Sequence, residues 1–474
     1  MKFAFVVPEA ENYAVMLFSS LLKERGHEPY LIFDPKLFRT DEVQNQWLSN
    51  LFDIRKENIR KIKRIKPDMI GFSVYTQDYQ WALETAQMVK EELPHIPIIF
   101  GGIHCILCPE QVAKEDCIDY VCASEGEDII IDLCEGRNPP LRTDKIYSQP
   151  YLTNLDSLPI IDRDLFYEQK PVFRRDYSIS TGRGCPYSCT FCASDALNRH
   201  YRKEGLGRPV RQRSPQNVIE ELKLAKTKYH PKSIYFTDDV FTLNLNWLKE
   251  FAPTYKRDIG LPFYCTANPG TIKEEEIHLL KEAGCQMIGF GMQSCNEDYR
   301  KDYLKRHGTN EHIREIANLC KSLKIHFSFD HIFNLPNEPA ENQMEAVNFY
   351  NEVKPDIINT FVMTYLPKIE LNKYLDDDAR LQVEEGKART AMFDKRNDNI
   401  TTIFCLIPLL PKNWINFLSD KKWVKFPFWL RLLLKDLRRL QIDRYSDVFF
   451  PIRLFIHNVI DNIRIKCENI IFTK

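Results

Sequence analysis

Along residues 1 to about 135, short apolar runs alternate with stretches of helical period. FAFVV is followed by a helix over 16–25, then PYLIF, MIGFSV, a helix over 79–92, and IPIIFGG. That succession predicts a parallel βαβ sheet. The last run ends in Gly101 and Gly102, and DYVCASEGE supplies a further strand and helix start. Open α/β sheets bind ligands at the carboxyl ends of their strands, where a glycine lets a ligand approach the backbone.

The stretch from 135 to 166 carries four prolines and no sustained period, which predicts an extended linker. From Tyr177 a second alternation begins: YSIS, a cysteine-rich loop, a helix over 218–229, SIYFTDD, a helix near Trp247, PFYCTA and a helix over 274–283. It continues through MIGFGMQS, a helix over 311–323, HFSFDHIF, a helix over 341–353 and DIINTFVMTYL. Six or so strand and helix units predict a β/α barrel, complete or partial. After Pro367 the strand rhythm stops. The expected architecture is α/β, with a Rossmann-like domain at 1–135, a linker at 136–172, a TIM-type barrel at 173–367 and a mainly helical region at 368–474.

Length agrees with several domains, since 474 residues exceed the roughly 250–300 at which single cores stop growing. With 65 Lys and Arg against 66 Asp and Glu, no net field draws nucleic acid, and no such partner is expected. No apolar run approaches the roughly 18–20 residues that cross a bilayer, and the opening residues read as a strand rather than a cleaved signal. A cytoplasmic location is therefore expected. The 14 cysteines are then expected as free thiols, and Cys105, Cys108, Cys117 and Cys122 as buried core residues.

One group of cysteines stands apart. Gly184, Cys185, Pro186, Tyr187, Ser188, Cys189, Thr190, Phe191 and Cys192 form a CxxxCxxC loop directly after a predicted strand. Three thiolates on one short loop can converge on one cluster, and on a four-iron cubane they leave one iron open to a chelating substrate. A structural zinc site commonly draws on two CxxC-like pairs, and no partner pair of that spacing is present. The loop, Phe191 before its last cysteine, and its place at the first barrel strand resemble the radical S-adenosylmethionine (SAM) superfamily. That resemblance implies a 4Fe-4S cluster on Cys185, Cys189 and Cys192, with SAM held on the open iron. One electron then releases a 5'-deoxyadenosyl radical, and a donor such as flavodoxin or ferredoxin is implied. IYFTDDVF (234–241) resembles the second-strand segment of cobalamin-linked members, and IGFGMQS (288–294) the strand that contacts adenosine. Asp238, Gln293 and Ser294, with Phe191, are thereby implied as cofactor-binding residues, although Asp238 and Asp239 equally fit an acidic N-cap or turn. Where relatives show DxIxGLPGE, residues 330–338 read DHIFNLPNE, and Asn334 and Asn337, which tolerate positive φ, are expected to preserve the turn.

KPDMIGFSVYT, IIFGGIHCILCPE and YVCASEGED resemble the cobalamin-binding domain that precedes the radical barrel in one branch of this superfamily. The resemblance spans most of 1–135 and implies a corrinoid whose nucleotide tail lies along the strand ends, near Gly71, Ser73, Gly101 and Gly102. A Cβ on those glycines would hold the tail off the sheet. Where a DxHxxG loop would supply a histidine to cobalt, residues 8–13 read PEAENY, so base-off cobalamin without a protein His ligand is expected. A domain that keeps the fold without the cofactor is the alternative. His104 reads as a hydrogen-bonded loop residue rather than a ligand.

Together these resemblances imply a class B radical SAM methyltransferase acting on an unactivated carbon of a small molecule, lipid, glycan or peptide. Radical rearrangement, cyclisation or oxidation would use the same two domains, and a cluster-based redox or binding protein is the reading from another class. The tail stays outside that picture. Residues 411–474 hold thirteen Lys and Arg against six Asp and Glu, and WVKFPFWLRLLLKDLRRL places Trp429, Leu432, Leu433 and Leu437 at helical spacing. Such a helix fits either a cap on the barrel or a peripheral contact with an anionic membrane.

Overall fold

A computed structural model describes residues 1–37, 46–137, 139, 141–387, 398–420, 458, 459 and 462. Seven strands make the first sheet: β1 (Lys2–Pro8), β2 (Glu28–Asp34), β3 (Met69–Ser73), β4 (Ile98–Gly101), β5 (Tyr120–Cys122), β6 (Leu141–Thr143) and β7 (Ile146–Tyr147). Their order is β2-β1-β3-β4-β5-β7-β6, and only the β6–β7 pair is antiparallel. The central strands are continuous apolar runs because helices cover both faces; Phe3, Ala4, Phe5, Val6 and Val7 of β1 are all buried. Asn12 starts the first helix, Tyr13–Glu24, by accepting from the Val15 amide.

The proline-rich stretch is more than an extended linker. It contributes the β6–β7 hairpin, in which Ile146 is buried and pairs in parallel with Val121. Strands of two and three residues are too short to show a period, which is why the sequence pattern passes over them. Further on, Leu165, Phe166, Tyr167 and Phe173 join the core that runs from Phe3 and Met16 to Tyr177 and Phe236.

The second unit opens with β8 (Asp176–Ile179), then a two-stranded antiparallel ribbon of β9 (Gly182–Arg183) and β10 (Arg211–Gln212). β11 (Ser233–Phe236), β12 (Phe263–Ala267), β13 (Cys285–Gln293), β14 (His326–Phe333) and β15 (Ile357–Val362) follow. The sheet order β15-β14-β13-β12-β11-β8 is parallel and sequential, with helices in the crossovers. Among the described residues β8 and β15 do not pair, so the barrel is partial, with six strands.

Arg163 joins the two units. Its side chain is 1% exposed, its guanidinium lies 4.3 Å from the Tyr177 ring and 5.0 Å from the Tyr13 ring, and it pairs with Glu11 at 3.2 Å. It also donates to the Ser178 carbonyl. Beyond β15, the Leu371 amide donates to Thr190 of the cysteine loop at 3.1 Å, and Gln80 of the first unit donates to the Glu385 carbonyl at 2.7 Å. The helices Asp398–Leu406 and Lys412–Asp420 pack on the helix Ala340–Val353. The basic aromatic helix expected over 423–440 lies outside the described residues. Among the described residues no helix is long and apolar enough to cross a membrane.

Candidate functional site

The chain enters the cysteine loop from the β9–β10 ribbon through Gly184, whose φ is +79° and where a Cβ would stand 2.5 Å from the Pro209 carbonyl oxygen. Only glycine fits that approach. Past it the loop is tied down by its neighbours: Asn198 donates to the Cys185 carbonyl at 2.7 Å and Thr190 Oγ1 to the Tyr303 carbonyl at 2.7 Å. Phe191 packs against the apolar cluster that includes Ala196, Tyr299 and Leu304. Donors reach the sulfurs themselves, among them the Ser194 amide at 3.4 Å from Cys192 Sγ and Arg306 Nη1 at 3.4 Å from Cys189 Sγ.

All three cysteines are free thiols. Burial pushes Cys185 up to about 12 and raises Cys192, so a metal must displace their protons to bind. Among the described residues no three His, Cys, Asp or Glu side chains converge on a single-ion position. A cubane makes no such demand, because each thiolate takes a different iron. Three free thiols on one tethered loop are a donor set that fits it.

Around this loop the barrel strands end. Asp238, after β11, accepts from the Thr181 amide at 3.0 Å and Thr181 Oγ1 at 2.8 Å, and burial pushes it up to about 6. It thereby ties β11 to the segment that leads into the loop. Gln293 closes β13 at φ +68°, and its side-chain oxygen is buried without a hydrogen-bond partner. Ser294 is fully buried and donates to Glu338 Oε1 at 2.8 Å, so its hydroxyl is already engaged. Asn334 and Asn337 adopt φ +60° and +58°, and the expected turn survives.

Two further participants are not among the candidate site residues: Glu338, which ends the DHIFNLPNE segment, and Arg306, which lies in no motif. Burial pushes Glu338 up to about 7, against hydrogen bonds from Ser294 and Gln343 that favour its charged form. Arg306 bridges the Cys189 sulfur and the Gly291 carbonyl of β13, the latter at 2.6 Å.

Between the two sheets lies a cavity of about 530 Å³. Gly71, Ser73, Gly101 and Gly102 line it from the first sheet, and Ser180, Gly182, Arg183 and Gly184 from the approach to the cysteines. Two of the glycines also meet a constraint from their own neighbours. A Cβ on Gly71 would meet the Phe3 ring at 2.6 Å, and one on Gly102, where φ is +96°, would meet the Val74 backbone at 2.7 Å. Both are therefore constrained by the protein's own packing as well as lining the cavity, whereas a Cβ on Gly101 would meet only Cys122, at 3.4 Å or more. Ser73 Oγ accepts from Asn12 at 3.1 Å. His104 is buried with its ring centroid 4.2 Å from that of Tyr79, and burial pushes it down to about 4.

The rim is charged. Glu125 pairs with Arg211 at 2.5 Å and Arg183 at 3.0 Å, and Glu127 pairs with Arg183 at 2.7 Å. Burial alone would raise the Glu125 carboxyl, but the two guanidinium groups hold it below the ordinary range. Backbone floor, apolar walls from Phe5, Phe18, Ile99 and Ile130, and hydroxyls at the edge fit the nucleotide tail of a corrinoid.

Two family models match the chain, the B12 binding domain over residues 6–133 and the radical SAM superfamily over 179–350. The chain is a B12-binding-domain radical SAM protein. Its radical SAM domain begins at β8 and contains the cysteine loop. The chain is similar to an uncharacterized methyltransferase of Pyrococcus horikoshii, at 27% identity over 68% of this chain and 72% of the relative. It is also similar to the anaerobic magnesium-protoporphyrin IX monomethyl ester cyclase of Rubrivivax gelatinosus, at 25% identity over 79% and 70%. In fold it resembles the radical SAM methyltransferase TsrM of Kitasatospora setae, with a TM-score of 0.61 and 17% identity over 83% of this chain and 84% of that one.

Proposed function

We propose that this enzyme is a cobalamin-dependent radical SAM methyltransferase acting on an unactivated carbon. One observation carries the reading: a single cavity is walled on one side by the strand ends of the B12-binding sheet and on the other by the residues running into Cys185. Cys185, Cys189 and Cys192 would hold the 4Fe-4S cluster, and Gly71, Ser73, Gly101 and Gly102 the corrinoid. TsrM has been solved with cobalamin and a 4Fe-4S cluster, and with a SAM analog. When bound, the cluster supplies the electron that cleaves SAM, and the corrinoid supplies cobalt chemistry for methyl transfer.

The chain's own residues then have distinct tasks. The Glu125–Arg183 pair lines the cavity with Arg211 bound to the same carboxylate, and the unpartnered Gln293 oxygen is the open acceptor for SAM at the end of β13. Residues 8–13 read PEAENY and hold no histidine, so that segment would hold the corrinoid without one. A low-potential reductant and a small-molecule substrate complete the reaction. Reduced, reconstituted enzyme given labelled SAM and cobalamin should form both 5'-deoxyadenosine and S-adenosylhomocysteine. Failure to form 5'-deoxyadenosine would remove radical chemistry. The similarity to a cyclase keeps a second reading, radical cyclisation or oxidation, which 5'-deoxyadenosine without S-adenosylhomocysteine would favour.

A further inference from the structure

We propose that Arg306 sets the reduction potential of the iron-sulfur cluster by donating a charged hydrogen bond to the sulfur of Cys189. The inference rests on the cluster assignment just made for Cys185, Cys189 and Cys192. Arg306 lies between the helices Glu297–Asp302 and Asn310–Ser322, and its guanidinium is forked. Nη1 stands 3.4 Å from Cys189 Sγ while Nη2 donates to the Gly291 carbonyl at 2.6 Å, so the second prong fixes the direction of the first. A Cβ on Gly291 would come within 3.3 Å of Nη2, closer than most such contacts; the bare backbone gives the fork its seat. The loop carrying Arg306 is also held to the cysteine loop. Thr190 donates from its amide to the Leu304 carbonyl at 3.3 Å and from Oγ1 to the Tyr303 carbonyl at 2.7 Å.

The electrostatics follow from that geometry. Cluster potentials depend on net charge, hydrogen bonds to the sulfurs and exposure to solvent. Reduction adds one electron, which the irons and sulfurs share, and a fixed cation at hydrogen-bond distance favours the more negative state. The Ser194 amide also reaches a sulfur, but it is neutral; among the described residues Arg306 is the charged donor. Cys189 is 5% exposed, so water screens the contact weakly. Removing the charge should lower the reduction equilibrium constant roughly tenfold, about 59 mV for a one-electron couple.

The test is a potentiometric titration, followed by electron paramagnetic resonance, of anaerobically reconstituted full-length wild type, R306Q and R306K. SAM is omitted, so that any contact of the guanidinium with SAM contributes nothing. R306Q should show a midpoint about 59 mV more negative at unchanged iron content, with R306K between. A midpoint unchanged in R306Q overturns the proposal, and so does loss of iron from both variants, which would make Arg306 a strut for the loop. Should R306Q alone fail to load, R306M decides, because it removes the charge and keeps much of the side chain's length. A more negative midpoint in it supports the proposal and one equal to wild type overturns it. Absence of iron from the wild type would instead overturn the cluster assignment.

Discussion

Replacing Arg163 by methionine keeps most of its volume and removes its charge, and the structure says what that should cost. The guanidinium is 1% exposed, its partner Glu11 is 11% exposed, and two aromatic faces and the Ser178 carbonyl complete its surroundings. Each desolvated cation–π contact contributes up to about 2 kcal/mol. The carboxylate left behind costs more: burial already raises Glu11 and the charge of Arg163 opposes that rise, so loss of the partner strands a buried anion. Breaking one side of such a pair costs about 3–5 kcal/mol, and R163M should be destabilised by that amount at pH 7. Urea unfolding of the anaerobic apo-protein measures it. Adding E11Q should recover about 1–3 kcal/mol, because no charge then remains to be buried. A cost below about 1 kcal/mol for R163M, or strict additivity in the double variant, would refute the assignment of Arg163 as the buried joint between the sheets.

Replacing Cys185, Cys189 and Cys192 together by alanine should abolish iron uptake on anaerobic reconstitution while leaving far-ultraviolet circular dichroism unchanged; iron equal to wild type would refute the donor set. Glu338, pushed up to about 7 from an ordinary 4.5, binds a proton in the folded state that the unfolded chain has already released. Wild type should therefore lose stability relative to E338Q as pH rises from 4.5 through 7, by about 3 kcal/mol in total, and a gap that stays flat across that window would show that Glu338 is not desolvated. Glu125 has the opposite sign, since Arg211 and Arg183 hold it down. E125A should cost about 2–3 kcal/mol at pH 7, with the deficit shrinking as pH falls below 4.5, and a deficit independent of pH would contradict the ion pairs.

Most of the regular structure was legible in the sequence. Parallel strands buried on both faces are unbroken apolar runs, so FAFVV and MIGFS announce themselves, and a helix such as Glu274–Ala283 ends at Gly284 as its composition predicts. The cysteine triad and the asparagine-bearing turn were equally visible, because they depend on neighbours in the chain. What escaped depends on distant partners. Arg163 meets Glu11 across 152 positions and Arg306 meets Cys189 across 117, and neither sits in a periodic segment. At Asp238, Ser294, Gly71 and Gly102 the motif gives the position, while the partners there, Thr181, Glu338, Phe3 and the Val74 backbone, lie far along the chain or outside any motif.

The charged contacts at the cavity rim link two features that the sequence presents separately. Glu125 and Glu127 follow the last major strand of the B12-binding sheet, whereas Arg183 stands two positions before Cys185 and pairs through its own strand with Arg211. Glu125 grips both arginines, so the segment carrying it cannot move without moving the entry to the cysteine loop. Gly184 sits between Arg183 and the first cysteine, so close to the Pro209 carbonyl that a Cβ there would clash with it. A ligand seated on the B12-binding sheet and a cluster held by the loop would thus share one rigid wall. The parallel topology explains why this wall is where it is: both sheets present carboxyl ends, rich in free backbone donors and turn residues, to the same gap.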